Sequence, residues 1–157
     1  PRDTDKDYIK RVIGLPGDEV VVKGGIVYIN GTAVPRVRDG EHYDWEYGTI
    51  PRYKETLPSG VSYHVLDARP DGDLDNAGPF VVPPGHFFVL GDNRDNSLDS
   101  RVPAQRFGVG FVPYENLVGR AEIIFFSACD EPGCFRLTTP WRWPFDIRWR
   151  RIFSLVR

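Results

Sequence analysis

Two stretches of this 157-residue sequence concentrate groups that could do chemistry. One is Asp7-Tyr8-Ile9-Lys10-Arg11-Val12-Ile13-Gly14-Leu15-Pro16-Gly17-Asp18, which sets a lysine in a mostly apolar, strand-like run ending on a tight Pro-Gly turn. The other is Gly91-Asp92-Asn93-Arg94-Asp95-Asn96-Ser97-Leu98-Asp99-Ser100-Arg101, whose eleven residues hold three carboxylates, two arginines, two asparagines and two serines. Polar groups at that density must be paired or hydrated. A lysine with the ordinary pKa of about 10.4 is protonated at neutral pH and cannot accept a proton. Dry, apolar surroundings disfavour its charged form. Poising it near about 7–8 takes roughly 4 kcal/mol of differential desolvation and makes it a general base. Val12 and Ile13 can supply such surroundings. Arg11, next along a strand, points to the opposite face, where it can pair with an acid.

The acidic stretches fit a metal loop poorly. Read from Asp92, the third position of an EF-hand pattern is Arg94 and the sixth is Ser97, where the pattern wants Asp or Asn and then Gly. Asp71-Gly72-Asp73-Leu74-Asp75-Asn76 looks more like a calcium loop, yet it lacks that glycine and has Val82 in place of the bidentate Glu. A zinc site needs about four ligands, and His42, His64 and His86 are scattered. The expectation is no metal and no cofactor. Cys129 and Cys134 flank a Pro-Gly turn and can close a small disulfide ring, which suits an oxidising compartment; a reduced pair is the alternative.

The elements that must position these groups read as all-β. With 16 glycines and 14 prolines, long helices are hard to place, while the 41% hydrophobic content is enough for a core. Strands are expected at Tyr8–Ile13, Glu19–Lys23, Ile26–Asn30, Ala33–Val37, Gly48–Thr56, Val61–Asp67, His86–Leu90 and Leu117–Phe126, with a hairpin turn at Gly24-Gly25. Short strands at close spacing imply antiparallel sheets in a small catalytic core, residues 1–37 and 84–157, with an inserted β-rich subdomain at 38–83. The formal net charge of −2 argues against a nucleic-acid partner. No apolar run approaches the roughly 18–20 residues that span a bilayer. The sequence opens on Pro1-Arg2-Asp3 without a signal peptide, which reads as a fragment whose upstream part is missing.

Taken together, the two chemical stretches closely resemble the two later signature blocks of bacterial type I signal peptidases. Lys10 to Asp18 is similar to the block that holds that family's catalytic lysine, and Gly91 to Arg101 to its last block. Val82-Pro83-Pro84-Gly85-His86, Val112-Pro113-Tyr114-Glu115-Asn116-Leu117-Val118-Gly119 and Glu55-Thr56-Leu57-Pro58 resemble the family too, so the likeness runs from about Asp7 to Phe126. It implies a membrane-bound serine endopeptidase with a serine nucleophile and a lysine base, acting without histidine or metal. By that resemblance Lys10 is the general base and Ser97 orients its amine. The expected supporting pairs are Arg11 with Asp92 and Arg101 with Asp99. Asp7, Tyr8 and Ile9 line the substrate groove, where a signal peptide binds as an extended strand. The expected location is the bacterial inner membrane, with the catalytic domain on its extracytoplasmic side.

One part of the family pattern is absent. The six serines, at 59, 62, 97, 100, 127 and 154, all follow Lys10, whereas the family's nucleophile precedes its lysine. The chain as given is therefore expected to form no acyl-enzyme. Trp141 to Arg157 carries five arginines against one carboxylate, interleaved with aromatics, a composition suited either to an anionic lipid surface or to arginine stacking on the β-domain. Two other readings stay open: a self-cleaving serine–lysine regulator, and a β-module that grips extended peptides without cutting them.

Overall fold

Alternation of buried and exposed side chains builds the strands. In the run Glu19–Lys23, Val20 and Val22 are buried while Glu19 and Lys23 are exposed, the period-2 pattern of a half-buried strand. Gly24 and Gly25, both with positive φ, turn that strand into the next. The computed structural model describes residues 7–69, 71–106, 108–129, 141 and 143–156. Among these the strands are β1 (Arg11–Gly14), β2 (Glu19–Lys23), β3 (Ile26–Ile29), β4 (Thr32–Ala33), β5 (Arg36–Asp44), β6 (Gly48–Thr56), β7 (Ser62–Leu66), β8 (Ala77–Val81), β9 (His86–Leu90) and β10 (Val112–Pro113). They form three sheets, ordered β1-β9-β10, β4-β3-β2-β8 and β5-β6-β7, and every ladder is antiparallel. The all-β antiparallel class expected from the sequence is the one observed.

The core draws on all three sheets. Ile13, Val20, Val22, Val27, Val65, Phe88 and Leu90 pack into one buried cluster. Asp67, at the end of β7, is buried beside Arg36; burial pushes its carboxyl up from the usual range against the pull of that guanidinium. Two compact units divide the chain, Pro1–Val118 and Gly119–Arg157. The first holds all ten strands. The second has a short helix, α1 (Trp143–Asp146), and two isolated bridges, Ile123 with Leu155 and Ala128 with Ile147. Trp141, Phe145, Trp149 and Phe153 of this unit are exposed. Among the described residues, no helix is long and apolar enough to cross a membrane.

Three strand expectations need correction. β1 starts at Arg11 rather than Tyr8, because its partner β9 ends at Leu90, opposite Arg11, and among the described residues nothing continues the ladder beyond it. Ala33–Val37 is split between β4 and β5 by Val34 and Pro35. Leu117–Phe126 is apolar but makes no strand beyond one bridge at Ile123; Val118 and Phe125 are 90% and 79% exposed, so no sheet face recruits them.

Candidate active site

The β1–β9 ladder carries Lys10 to the polar loop. Arg11 stands opposite Leu90, so the residue before it meets the chain as that chain leaves β9 at Gly91. Lys10 Nζ there donates a 2.7 Å hydrogen bond to Ser97 Oγ across 87 residues of sequence. Gly91 makes room for the contact. A Cβ at that position would lie 1.9 Å from Ser97 Oγ, 2.5 Å from Ser97 Cβ and 3.4 Å from Lys10 Nζ. Lys10 is half-buried, and burial is the chief reason its pKa sits below the ordinary 10.5. The Asp99 charge works against the lowering, Arg101 adds to it, and Asp92 opposes it.

Both acids near the lysine are held by arginines. Arg101 Nε donates to Asp99 Oδ1 at 2.9 Å and its Nη2 to Asp99 Oδ2 at 2.8 Å, with both side chains buried. Asp99 Oδ2 also accepts the Gly91 N–H at 3.1 Å, which ties this pair to the glycine under Ser97. Arg11 grips Asp92 with two bonds, Nε to Oδ1 at 2.9 Å and Nη2 to Oδ2 at 2.8 Å. Its guanidinium lies 4.0 Å from the centre of the Tyr63 ring. Such two-pronged arginine–carboxylate contacts fix geometry as well as charge.

Asp7, Tyr8 and Ile9 are exposed and outside any strand. The Tyr8 ring centre is 5.9 Å from Lys10 Nζ, and Ile9 is 82% exposed. Among the described residues β1 is an edge of its sheet, paired only with β9. Ser100 is spent elsewhere: its Oγ accepts the Val89 N–H at 2.9 Å and donates to Gly110 O at 2.6 Å. Of the two cysteines expected to pair, Cys134 lies outside the described residues.

Four residues beside this centre were not singled out as site residues from sequence. One is Gly91, recognisable only once Ser97 is known to fold back over it. The others are Glu55, Arg94 and Tyr63. The Arg94 guanidinium forms a two-bonded pair with the Glu55 carboxylate, their side chains 3% and 1% exposed. Tyr63 donates its hydroxyl to Glu55 Oε2 at 3.0 Å, and burial followed by the Glu55 charge pushes its phenol up. Glu55 lies in a stretch that carried part of the family resemblance, but no local spacing links it to Arg94, 39 residues away.

The arrangement offers a poorly solvated amine, aimed by a hydroxyl, on the edge of a sheet. Comparison with known proteins agrees with a peptidase family. The profile of a family described as signal peptidase, peptidase S26, matches residues 1–126. Signal peptidase I of Rickettsia typhi is 41% identical over 166 residues, which cover 98% of this chain and 61% of that protein. Signal peptidase I of Rickettsia prowazekii is 39% identical over 166 residues, covering 98% and 61%. That of Rickettsia bellii strain OSU 85-389 is 37% identical over 165 residues, covering 98% and 55%. The chain thus spans little more than half the length of the curated relatives it matches.

Proposed function

The chain belongs to the signal peptidase family, and from that membership we propose that the whole protein is a membrane-associated serine endopeptidase that removes signal peptides from exported preproteins. Neutral Lys10 takes the proton of an attacking serine hydroxyl as the oxygen adds to the scissile carbonyl. It returns that proton to the amine that leaves, and an acyl-enzyme remains. Lys10 then activates the water that hydrolyses the ester. A neutral amine has two N–H groups and one lone pair. Giving one N–H to Ser97 turns the lone pair toward the nucleophile, which makes Ser97 a positioning residue. The pairs Arg11–Asp92 and Arg101–Asp99 hold the loop under Lys10.

The attacking serine is assigned to no residue of this chain: Ser97 is engaged with Lys10, and Ser100 with backbone at Val89 and Gly110. It belongs to a part of the protein outside these 157 residues, and the chain alone turns over no substrate. The substrate's extended backbone adds to the open edge of β1, with Asp7, Tyr8 and Ile9 along the groove, a mode supported by the edge position of that strand. The exposed Trp141, Phe145, Trp149 and Phe153, among arginines, rest on the extracytoplasmic lipid surface of the inner membrane. A Cys129–Cys134 disulfide suits that compartment.

The observation that carries the reading is the Lys10–Ser97 hydrogen bond at a lysine whose pKa burial lowers. The test is Lys10→Arg in the whole protein, assayed on a signal-peptide substrate across pH. A guanidinium does not deprotonate, so activity should vanish. In the parent, activity should rise with pH through a value below 10.5, since the base must be neutral to work. Normal turnover by the arginine variant refutes the assignment.

A further inference from the structure

Asp67, Asp75 and Asp95 converge from three segments: the end of β7, the turn before β8, and the polar loop two residues from Ser97. One carboxylate oxygen from each lies within 4.8 Å of those of the other two. Each acid already gives its Oδ2 to the protein. Asp67 accepts from Arg36, Asp75 accepts the Gly72 N–H at 2.8 Å, and Asp95 accepts the N–H groups of Ala68 at 2.6 Å and Arg69 at 3.0 Å. Among the described residues no hydrogen bond reaches any of the three Oδ1 atoms.

The Oδ1 of Asp67 is the telling one. It is shut off from solvent without a donor, on a side chain only 9% exposed. Arg36 does not satisfy it: Nη1 donates to Gly25 O at 2.7 Å, Nη2 to Asp67 Oδ2, and its own buried Nε finds no acceptor. A buried carboxylate oxygen without a donor is unsatisfied, and its carboxyl group lies beside two further acids. Three carboxylates and one guanidinium sum to −2, the charge a divalent cation cancels. Glycines keep the space open. A Cβ on Gly72 would lie 2.8 Å from Asp95 Oδ1, and one on Gly25 would lie 3.0 Å from Asp67 Oδ2 and 3.6 Å from Asp75 Oδ1. A cleft of about 330 Å³, lined in part by Asp67, Asp71 and Asp75, opens beside the cluster.

We propose that Asp67, Asp75 and Asp95 bind one calcium-sized divalent cation that ties the turn before β8 to the loop carrying Ser97. The donors are all hard oxygens. Calcium accepts a set of protein oxygens in flexible geometry, whereas magnesium keeps several waters and usually takes only one or two carboxylates, so a three-carboxylate set favours the larger ion. The role is structural: loading immobilises Asp95 and, through it, the loop that presents Ser97 to Lys10.

The test uses the whole 157-residue chain, stripped with EDTA and titrated calorimetrically with calcium chloride, with magnesium chloride in parallel. One calcium site per chain is expected, with magnesium weaker. At ten times the dissociation constant, Tm should rise by about 3–6 °C. Asp75→Asn keeps an acceptor for the Gly72 N–H and should melt no lower than the parent in EDTA, yet lose both the heat and the calcium-dependent rise. Terbium luminescence sensitised by Tyr53, which lines the cleft, reads the site in the unmodified chain and should be quenched by competing calcium. The proposal is overturned if calcium gives neither heat nor a Tm rise, if Asp75→Asn retains both, or if calcium fails to displace terbium.

Discussion

Adding one methyl group at Gly91 should disable the site without touching a charge. Gly91 does not occupy the left-handed region, so alanine costs nothing in backbone conformation there. The penalty is steric. The new Cβ would stand 1.9 Å from Ser97 Oγ and 2.5 Å from Ser97 Cβ, where real contacts stay beyond 3.0 Å, so Ser97 must retreat by about 1 Å or more. Its 2.7 Å bond to Lys10 then stretches past useful length. Overpacking of this kind costs about 1–3 kcal/mol of stability. A misplacement of about 1 Å in a catalytic centre costs on the order of 100-fold in rate. The assay is kcat/KM of the whole protein carrying Gly91→Ala on a signal-peptide substrate, with thermal unfolding alongside. Gly91→Ala/Ser97→Gly is the control: removing the Ser97 side chain should relieve the strain and recover Tm, but not activity. Parental kcat/KM in Gly91→Ala would refute the claim that the Lys10–Ser97 geometry limits the reaction.

Asp92→Asn removes a negative charge that favours protonated Lys10, so the Lys10 pKa should fall further and the rising limb of the pH–rate profile should move to lower pH; a shift to higher pH would contradict the electrostatic account. Glu55→Gln strips Arg94 of its buried counter-charge, and breaking a buried pair from one side costs about 3–5 kcal/mol, to be read as a loss in denaturant midpoint. A change below about 1 kcal/mol would mean that Arg94 finds another partner.

The strands that could be read from sequence are those whose local chemistry and tertiary setting agree. Gly48–Thr56 and His86–Leu90 were bounded correctly because β-propensity, turn residues and burial coincide there. β8 was missed: Ala77-Gly78-Pro79-Phe80-Val81 carries two strand breakers, and only its ladder to β2 makes it a strand. β5 was hidden by its polarity, since an exposed hairpin strand needs little apolar surface. Leu117–Phe126 failed in the opposite way, offering apolar residues with no ladder to join. At the site, the functional reading of Lys10 and Ser97 rested on family resemblance, because no spacing rule joins residues 87 positions apart. Glu55 and Arg94 lay in stretches that resembled the family, but nothing in the sequence paired them or pointed to Tyr63. Their grouping depends on β6 and β7 pairing, and on Leu66 bridging Asn93, which sets Arg94 over Glu55.

The charge layout explains why a lysine with two carboxylates in range has a lowered rather than a raised pKa. An isolated acid beside a lysine favours the ammonium form and would cancel the effect of burial. Here neither acid acts alone. Asp99 lies in a two-bonded clasp with Arg101, and the Arg101 charge reaches Lys10 with the opposite sign. Asp92 is held in a second clasp by Arg11. Arg101 works against Asp99, Asp92 still pulls the amine toward its charged form, and desolvation, the largest influence, decides the direction. Among the described residues, the one polar atom hydrogen-bonded to the amine is a neutral hydroxyl, which orients it without paying back the charge. A dense acid–base loop can thus surround a lysine and still leave it easier to deprotonate, provided burial outweighs the acids in range.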